Sequence, residues 1–388
     1  MKIGLVCPYS ITKGGGVQEV VKALQQEYTK LGHEALIITP QPKEPYTNRS
    51  HRVIFVGSST DFKAVATTTQ ISASVLTDEI DSMLEQEQFD ILHFHEPWIP
   101  VLSRQILSRS TSINVATFHA KLPETIASRA LSKVIIPYTK PLLRHIDAFT
   151  AVSDAAAEYV RSLTDVDIQI IPNGIHGGHF RRPVKDPEPS LSDKTILYIG
   201  RLEKRKGVKY LLQAFQLLQL RLPEARLIIA GDGVDREKLE DLSEELELRG
   251  VNFLGYIDDH TKLQLLHGTS LFCSPAIYGE SFGIVLLEAM ASGLVTVAGN
   301  NPGYESVMSG LGQLSLVDPR DSKEFAHRLE LLLTDEGIRQ LWMKWAKKNV
   351  RQYEYSKVAD MYLAAYTTAL ERGKSNEKKD FDEDWYRT

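Results

Sequence analysis

Two glutamates, Glu280 and Glu288, stand eight residues apart in "YGESFGIVLLEAMASG", a run that otherwise reads as a loop turning into a buried helix near Ser281. A buried carboxylate without a partner costs several kcal/mol. Glu288, set among Ile284, Val285, Leu286, Leu287, Ala289 and Met290, therefore needs a cation, a ligand or an exposed stripe of its helix. Cations are available in "GRLEKRKG", the loop after an expected strand. Arg201 and Lys206, at its edges, suit a diphosphate whose leaving charge they would neutralise, while Lys204 and Arg205 read as solvated. Gly14, Gly15 and Gly16 precede Gln18 between the first strand and first helix, where they allow oxygen-rich ligands to approach free helix amides. A plain glycine turn is the alternative. The stretch is not a dinucleotide fingerprint, because G-x-G-x-x-G is absent and "LIITPQP" ends without an acid for a ribose. His93 and His95 share one face of a strand by its period of two, yet no third metal ligand lies at a telling spacing, so they read as satisfied polar core. His119, ending "ATFH", would face a cleft at the end of its strand and hydrogen-bond a substrate hydroxyl or carbonyl.

These residues need a scaffold, and the chain is long enough to give two. With 388 residues, 43% hydrophobic and 24% charged, it sits in the ordinary globular range and above the size of one core. A net charge of −5 argues against a nucleic-acid protein. Cys7 and Cys273, one in each half, exclude a disulfide framework and point to a reducing, cytoplasmic setting. "MKIGLV" is too short for a secretory leader, and no apolar run reaches the ~18 residues of a membrane span.

Short β-branched runs alternate with helical patterns, the mark of βαβ units on a parallel sheet. "KIGLVCPYS", "EALIITP", "DILHFHEP", "NVATFHA", "AFTAVSD" and "IQIIPNG" read as strands. The first helix, "VQEVVKALQQEYTKLGH", sets Val17, Val20, Val21, Leu24, Tyr28 and Leu31 on one face. The cycle restarts at "KTILYIGRL", followed by "GVKYLLQAFQLLQ" as helix and "ARLIIAGDG", "VNFLGYI", "LFCSPAI" and "LVTVAGN" as strands. Two doubly wound domains follow, with ligands expected outside the carboxyl ends of their strands. The Gly- and Pro-rich "IPNGIHGGHFRRPVKDPEPSLSD" serves as linker. The expected domains are 1–172 and 173–352, with a final helix over 353–370 that can fold back on the first, and a charged, disordered tail over 371–388.

Taken together, "MKIGLVCPYS", "GGVQ", "HEP", "ATFH", "AVSD", "IPNG", "GR…RKG" and the Glu-x7-Glu of "GESFGIVLLEAM" resemble the retaining nucleotide-sugar glycosyltransferases of family 4. Within them, the chain resembles the bacterial phosphatidylinositol mannosyltransferases over roughly residues 1–370. The resemblance implies the GT-B fold, an α/β architecture of two facing Rossmann-like domains with a cleft between them. It also implies roles. Glu280 and the backbone of Ser281, Phe282, Gly283 and Ile284 would hold the donor sugar, and Glu288 the ribose hydroxyls. Arg201 and Lys206 would clamp the diphosphate, with Gly15 and Gly16 approaching from the other domain. His119 would contact the sugar near the reacting carbon. Ile257, Asp259 and Lys262 match positions that read guanine, so GDP-mannose is favoured over a UDP-sugar. No metal is required: His119, Arg201, Lys206 and Glu280 carry the transfer, which proceeds with retention to a hydroxyl of a lipid, glycan or small molecule.

The acceptor side departs from the family. The family's lysine-rich helix is replaced by "TTTQISASVLTDEIDSMLEQEQ", which has no Lys or Arg. Trp98 replaces an asparagine, and Ala120 and Glu124 replace a threonine and a lysine. Tyr9 and Gln18 are retained. Lys121–Ile146 has five Lys or Arg against one acid. It reads either as a weakly anionic-membrane-binding segment on the inner face of the plasma membrane or as an ordinary basic helix. Three rival functions remain open: a catalytically idle GT-B module that binds sugar nucleotides or carbohydrate, a UDP-sugar transferase, and an NAD-dependent epimerase or dehydrogenase, the last disfavoured by the missing fingerprint.

Overall fold

The computed structural model describes residues 1–12, 14–44, 46, 50–64, 67–74, 76–120, 137, 139–183 and 193–375. The chain divides into two compact units, Met1–Asn173 with Tyr355–Thr388, and Gly174–Glu354.

The first unit holds β1 (Lys2–Val6), β2 (Glu34–Pro40), β3 (Val53–Val56), β4 (Ser58–Ala64), β5 (Thr67–Ser74), β6 (Ile91–His95), β7 (Ile113–Phe118), β8 (Ala148–Ala151) and β9 (Ile168–Ile170). Its seven-stranded sheet runs β3-β2-β1-β6-β7-β8-β9, parallel throughout. β1 and β6 are buried along nearly their whole length, as expected of central parallel strands read as unbroken apolar runs. Because β1 neighbours β2 on one side and β6 on the other, the loops leaving β1 and β6 part at this point, where α/β sheets bind ligands.

β4 and β5 form an antiparallel pair. The stretch from Thr67, read as helix from its place in the family, is thus strand as far as Ser74, and the helix is confined to Thr77–Glu87. Three consecutive threonines disfavour helix and suit a pleated strand, which explains the difference. Helix Gly16–Lys30 buries Val20, Val21, Leu24 and Tyr28, whereas Leu31, read on the same face, caps it and is half exposed.

Helix Tyr355–Ser375 belongs to the first unit and shares its core, where Val358, Tyr362 and Tyr366 join Ile3, Leu5, Leu24 and Tyr28. Burying such a face is worth on the order of 10 kcal/mol before entropic costs. The helix runs to Ser375, so the first residues of the stretch read as tail are helical. Residues 376–388, Asn48, Glu124 and most of Lys121–Ile146 lie outside the described residues.

The second unit holds β10 (Thr195–Ile199), β11 (Arg226–Ala230), β12 (Val251–Gly255), β13 (Leu271–Ser274), β14 (Val295–Gly299) and β15 (Leu316–Val317), parallel in the order β12-β11-β10-β13-β14-β15. Its switch point lies between β10 and β13. Cys7 and Cys273 are buried free thiols, one in each unit. Among the described residues no helix is long and apolar enough to cross a membrane.

Candidate functional site

The loop after β10 closes into one 3-10 turn, Lys204–Lys206, and Gly207 then starts helix Val208–Gln219 at φ +71. A Cβ on Gly207 would lie 2.0 Å from the Pro275 carbonyl oxygen, so only glycine lets this loop sit against the one after β13. That closeness brings the charges together. Glu280 Oε1 accepts from Arg205 Nη1 at 2.7 Å and pairs with Lys206 Nζ at 2.8 Å. Arg205 Nε donates to Glu203 Oε2 at 3.0 Å, and Glu203 Oε1 pairs with Arg201 at 3.0 Å. The row Arg201–Glu203–Arg205–Glu280–Lys206 alternates in sign and ends in a cation at each end.

Arg205 is therefore not the solvated residue read from sequence. It is largely buried, also donates to the Gly279 carbonyl, and its neighbouring carboxylates push its guanidinium pKa upward against desolvation. The opposite flank of Glu280 is as tight: a Cβ on Gly303 would lie 2.2 Å from the Glu280 carbonyl oxygen. The Glu280 side chain, 12% exposed, is thus held on a fixed backbone by two cations.

The following helix is Ile284–Ala291, capped by Gly283 at φ +106 and so starting three residues later than read from sequence. Phe282 is buried edge-on against Tyr353, which leaves its backbone as what it can offer a ligand. Glu288 has its cation: Lys262 Nζ donates at 3.1 Å. Burial raises the Glu288 pKa and Lys262 opposes that rise. Lys262 also lies 3.6 Å from Asp259 and 5.3 Å from the Phe180 ring centroid. It stands on helix Asp259–Gly268, whose N-terminus Asp258 caps through Thr261 N. Asp259 itself is 87% exposed, and Ile257 is half-buried just before the cap. The structure thereby joins Lys262 to Glu288, two positions that the sequence keeps 26 apart.

In the first unit, Gly15 precedes the helix from Gly16, and the buried Gln18 folds back so that its Oε1 would be 2.4 Å from a Cβ on Gly15. Tyr9, half-buried after β1, accepts Thr39 Oγ1 on its carbonyl at 2.7 Å. A row of histidines crosses the sheet. His93 Nδ1 meets Tyr366 OH at 2.7 Å and its Nε2 meets Thr117 Oγ1 at 2.6 Å. His95 Nδ1 meets His119 Nε2 at 2.9 Å. Burial pushes His93 down to about 3 and His119 down to about 4, the latter opposed by its hydrogen bond with the Asn173 side chain, so both are neutral at pH 7. The His119 ring is thus turned to His95 and Asn173 rather than to solvent.

Next to this row sits a group the sequence reading left without a role. Glu96, 1% exposed, accepts the backbone N–H of His119 and of Ala120, both at 2.6 Å on Oε1, and the Trp98 indole N–H on Oε2. Trp98, half-buried, also meets Tyr159 edge-on at 6.4 Å. Glu203 and Arg205 were missed because nothing in "LEKRKG" separates inward from outward charges. Glu96 was visible only as the acid of "HEP", at a strand end before a proline.

The descriptions of two family models fit this arrangement. "Glycosyltransferase Family 4" matches residues 14–176 and "Glycosyl transferases group 1" matches residues 182–349. The phosphatidyl-myo-inositol mannosyltransferase of Mycolicibacterium smegmatis is 31% identical over 376 residues, covering 96% of this chain and 95% of the relative. Among solved structures, sucrose-phosphate synthase from Thermosynechococcus elongatus aligns with TM-score 0.75 at 19% identity, over 96% of this chain and 99% of that one. The Anabaena protein HepE, solved with UDP and glucose, aligns with TM-score 0.73 at 18% identity, over 95% and 99% of the two chains. On this fold and this sequence likeness, the chain belongs to the family 4, group 1 glycosyltransferases and has the α/β GT-B fold of two Rossmann-like domains.

Proposed function

We propose that the protein is a retaining hexosyltransferase that moves mannose from GDP-mannose to a hydroxyl of a lipid, glycan or small-molecule acceptor. The observation that carries this reading is the alternating row ending in Arg201 and Lys206, with Glu280 held inside it and Lys262–Glu288 on the same unit. Diphosphate binding calls for the two terminal cations. When phosphate oxygens arrive, Lys206 can exchange one anion for another while Arg205 keeps Glu280 in place to accept sugar hydroxyls. Glu288 would take the ribose hydroxyls, the backbone from Ser281 to Ile284 the sugar, and Ile257, Asp259 and Lys262 the guanine.

In the reaction, the acceptor oxygen forms a bond to the anomeric carbon as the bond from that carbon to the β-phosphate oxygen breaks. The electron pair leaves with GDP, and the acceptor proton passes to the departing phosphate on the same face. Such a step asks for positioning and for positive charge at the leaving group, and Arg201 and Lys206 supply the charge without a metal. Gly15 and Gly16 would approach the phosphates. His119, neutral, would sit near the reacting carbon, and Tyr9, Gln18 and Trp98 would meet the acceptor. Whether Lys121–Ile146 draws the protein to an anionic membrane is testable by co-sedimentation with acidic liposomes at low salt, where failure to pellet would remove that association.

A UDP-sugar donor is the second reading, favoured by the UDP complex of the Anabaena protein. Thermal-shift measurements with GDP, UDP, ADP and their sugars decide between the donors, because a ligand that binds only the folded state raises its melting temperature. Stabilisation by UDP and not by GDP would overturn the choice of donor. Proton NMR of the first-formed glycoside reads the anomeric outcome; an inverted product would overturn retention.

A further inference from the structure

Glu96 stands directly after β6, at the switch point of the first sheet, and its backbone is left-handed at φ +52 although it is not glycine. Such strain costs on the order of 1 kcal/mol and persists only where surroundings over-determine it. The surroundings do so here. Glu96 N donates to the Thr117 carbonyl at 2.9 Å, and its own carbonyl accepts from Ile99 N at 3.1 Å. The side chain then reaches across to the end of β7. Three N–H donors, from His119, Ala120 and Trp98, converge on one buried carboxylate. Donors that need only a neutral acceptor are met by a backbone carbonyl or hydroxyl at far smaller desolvation cost.

We propose that Glu96 is a positioning residue for the transfer: its carboxylate locks the His119–Ala120 backbone and the Trp98 ring into one arrangement. The proposal rests on the reading of His119 and Trp98 given above. It makes the ionised form of Glu96 the working form, since a protonated carboxyl offers an O–H where a donor already points.

Burial pushes Glu96 up to about 7, opposed by the His119 and Ala120 amides and the Trp98 indole. The titratable residues that adjoin it are Tyr9, from the loop after β1, whose hydroxyl it helps hold protonated, its chain neighbour His95, and His119, whose backbone N–H it accepts. Burial holds Tyr9 protonated and both histidines neutral between pH 6 and 8. Only Glu96 among these changes charge in that range.

Glutamine cannot replace it. An amide has one acceptor oxygen, so its NH2 must face either the two backbone N–H groups or the indole N–H. Removing the indole N–H as well relieves that clash, and Glu96→Gln with Trp98→Phe should recover part of what Glu96→Gln alone loses in hydrolysis to water, a reaction in which no acceptor meets position 98. The first test needs no activity: in protein labelled with ¹⁵N-histidine, the His119 amide should shift with a midpoint near pH 7 in wild type and stay flat in Glu96→Gln. The second follows hydrolysis of GDP-mannose. Glu96→Gln should lower kcat at least tenfold with GDP affinity by thermal shift within twofold of wild type. It should also erase the rise of kcat through pH 7, and the double variant should exceed Glu96→Gln.

A wild-type His119 amide that does not titrate, or a Glu96→Gln enzyme with wild-type kcat, would overturn the proposal. So would a double variant no better than Glu96→Gln, because the loss would then come from general loosening. A wild type inactive on both GDP-mannose and UDP-glucose would count against the proposed transfer itself, while the amide titration would still decide the clamp.

Discussion

Replacing Glu280 by glutamine separates the two things that the ionic row does. The Glu280 carboxylate holds Arg205 at 2.7 Å and Lys206 at 2.8 Å and is 12% exposed. Removing one partner of a buried ion pair costs about 3–5 kcal/mol. Arg205 keeps Glu203 at 3.0 Å, and the glutamine carbonyl still accepts one hydrogen bond. The expected loss is therefore smaller, about 2 kcal/mol, or about 4–8 °C in the melting temperature of a unit of this size. Ligand binding should move the other way. Without Glu280, Arg205 and Lys206 face an incoming diphosphate less neutralised, so GDP should stabilise Glu280→Gln by at least as many degrees as wild type. Sugar transfer should nevertheless fall about 10–100-fold, the worth of one to two hydrogen bonds to a charged acceptor. Differential scanning fluorimetry with and without GDP, beside GDP-release rates, reads all three effects. If Glu280→Gln loses GDP stabilisation as completely as Lys206→Met does, Glu280 is supporting the phosphate site and not the sugar, and the division of roles is wrong.

Further perturbations follow from the same geometry. Lys262→Met strips Glu288 of its ammonium at 3.1 Å and should cost about 1–3 kcal/mol, with GDP affinity by calorimetry falling about tenfold; adding Glu288→Gln should restore the stability but not the affinity. Gly207→Ala places a Cβ 2.0 Å from the Pro275 oxygen at a positive φ and should lower stability by at least about 2 kcal/mol in denaturant melts, whereas Gly16→Ala, open by the same measure, should not. Acid should unfold the first unit. His93, His95 and His119 are held below their ordinary pKa by burial, so the stability they contribute is present above pH 6.5 and lost as pH falls, toward about 3 for His93 and about 4 for His119. Glu96, raised to about 7, acts oppositely, its contribution being full at low pH and lost as pH rises through 7. Three histidines outweigh one glutamate, so these four groups together take up about two protons on unfolding between pH 6.5 and 4.5, on the order of 3 kcal/mol per pH unit from them alone. Denaturant melts across that window should show stability falling with acid, and a flat profile would contradict the buried histidine row.

Much of this molecule was legible in its sequence because parallel strands announce themselves. β1, β2, β6, β7, β10, β11 and β14 are apolar runs ending in glycine, proline or histidine, and each was visible as such. β4 and β5 were not, since "STDFKA" and "TTTQIS" mix polar, small and apolar residues without the regular alternation that a pattern could flag. At the site, Glu280, Glu288, Arg201 and Lys206 were found by residue type and spacing. The partners that fix them were not: Arg205 turns inward only because Gly207 lets its loop meet the one after β13, and Lys262 reaches Glu288 only through tertiary packing. Glu96 escaped for the same reason, because its three donors come from the two residues that follow β7 and from a tryptophan on the far side of a proline.

The measurement closest to the proposed activity is nucleoside diphosphate release from purified protein given GDP-mannose and, separately, UDP-glucose. A mannosyltransferase with the ionic row described should release GDP, slowly to water and faster with an acceptor, and both Glu280→Gln and Lys206→Met should abolish most of that release. Melting-point stabilisation by GDP-mannose with no GDP released, with or without added hydroxyl acceptors, would contradict transfer and leave a sugar-nucleotide binding module in its place.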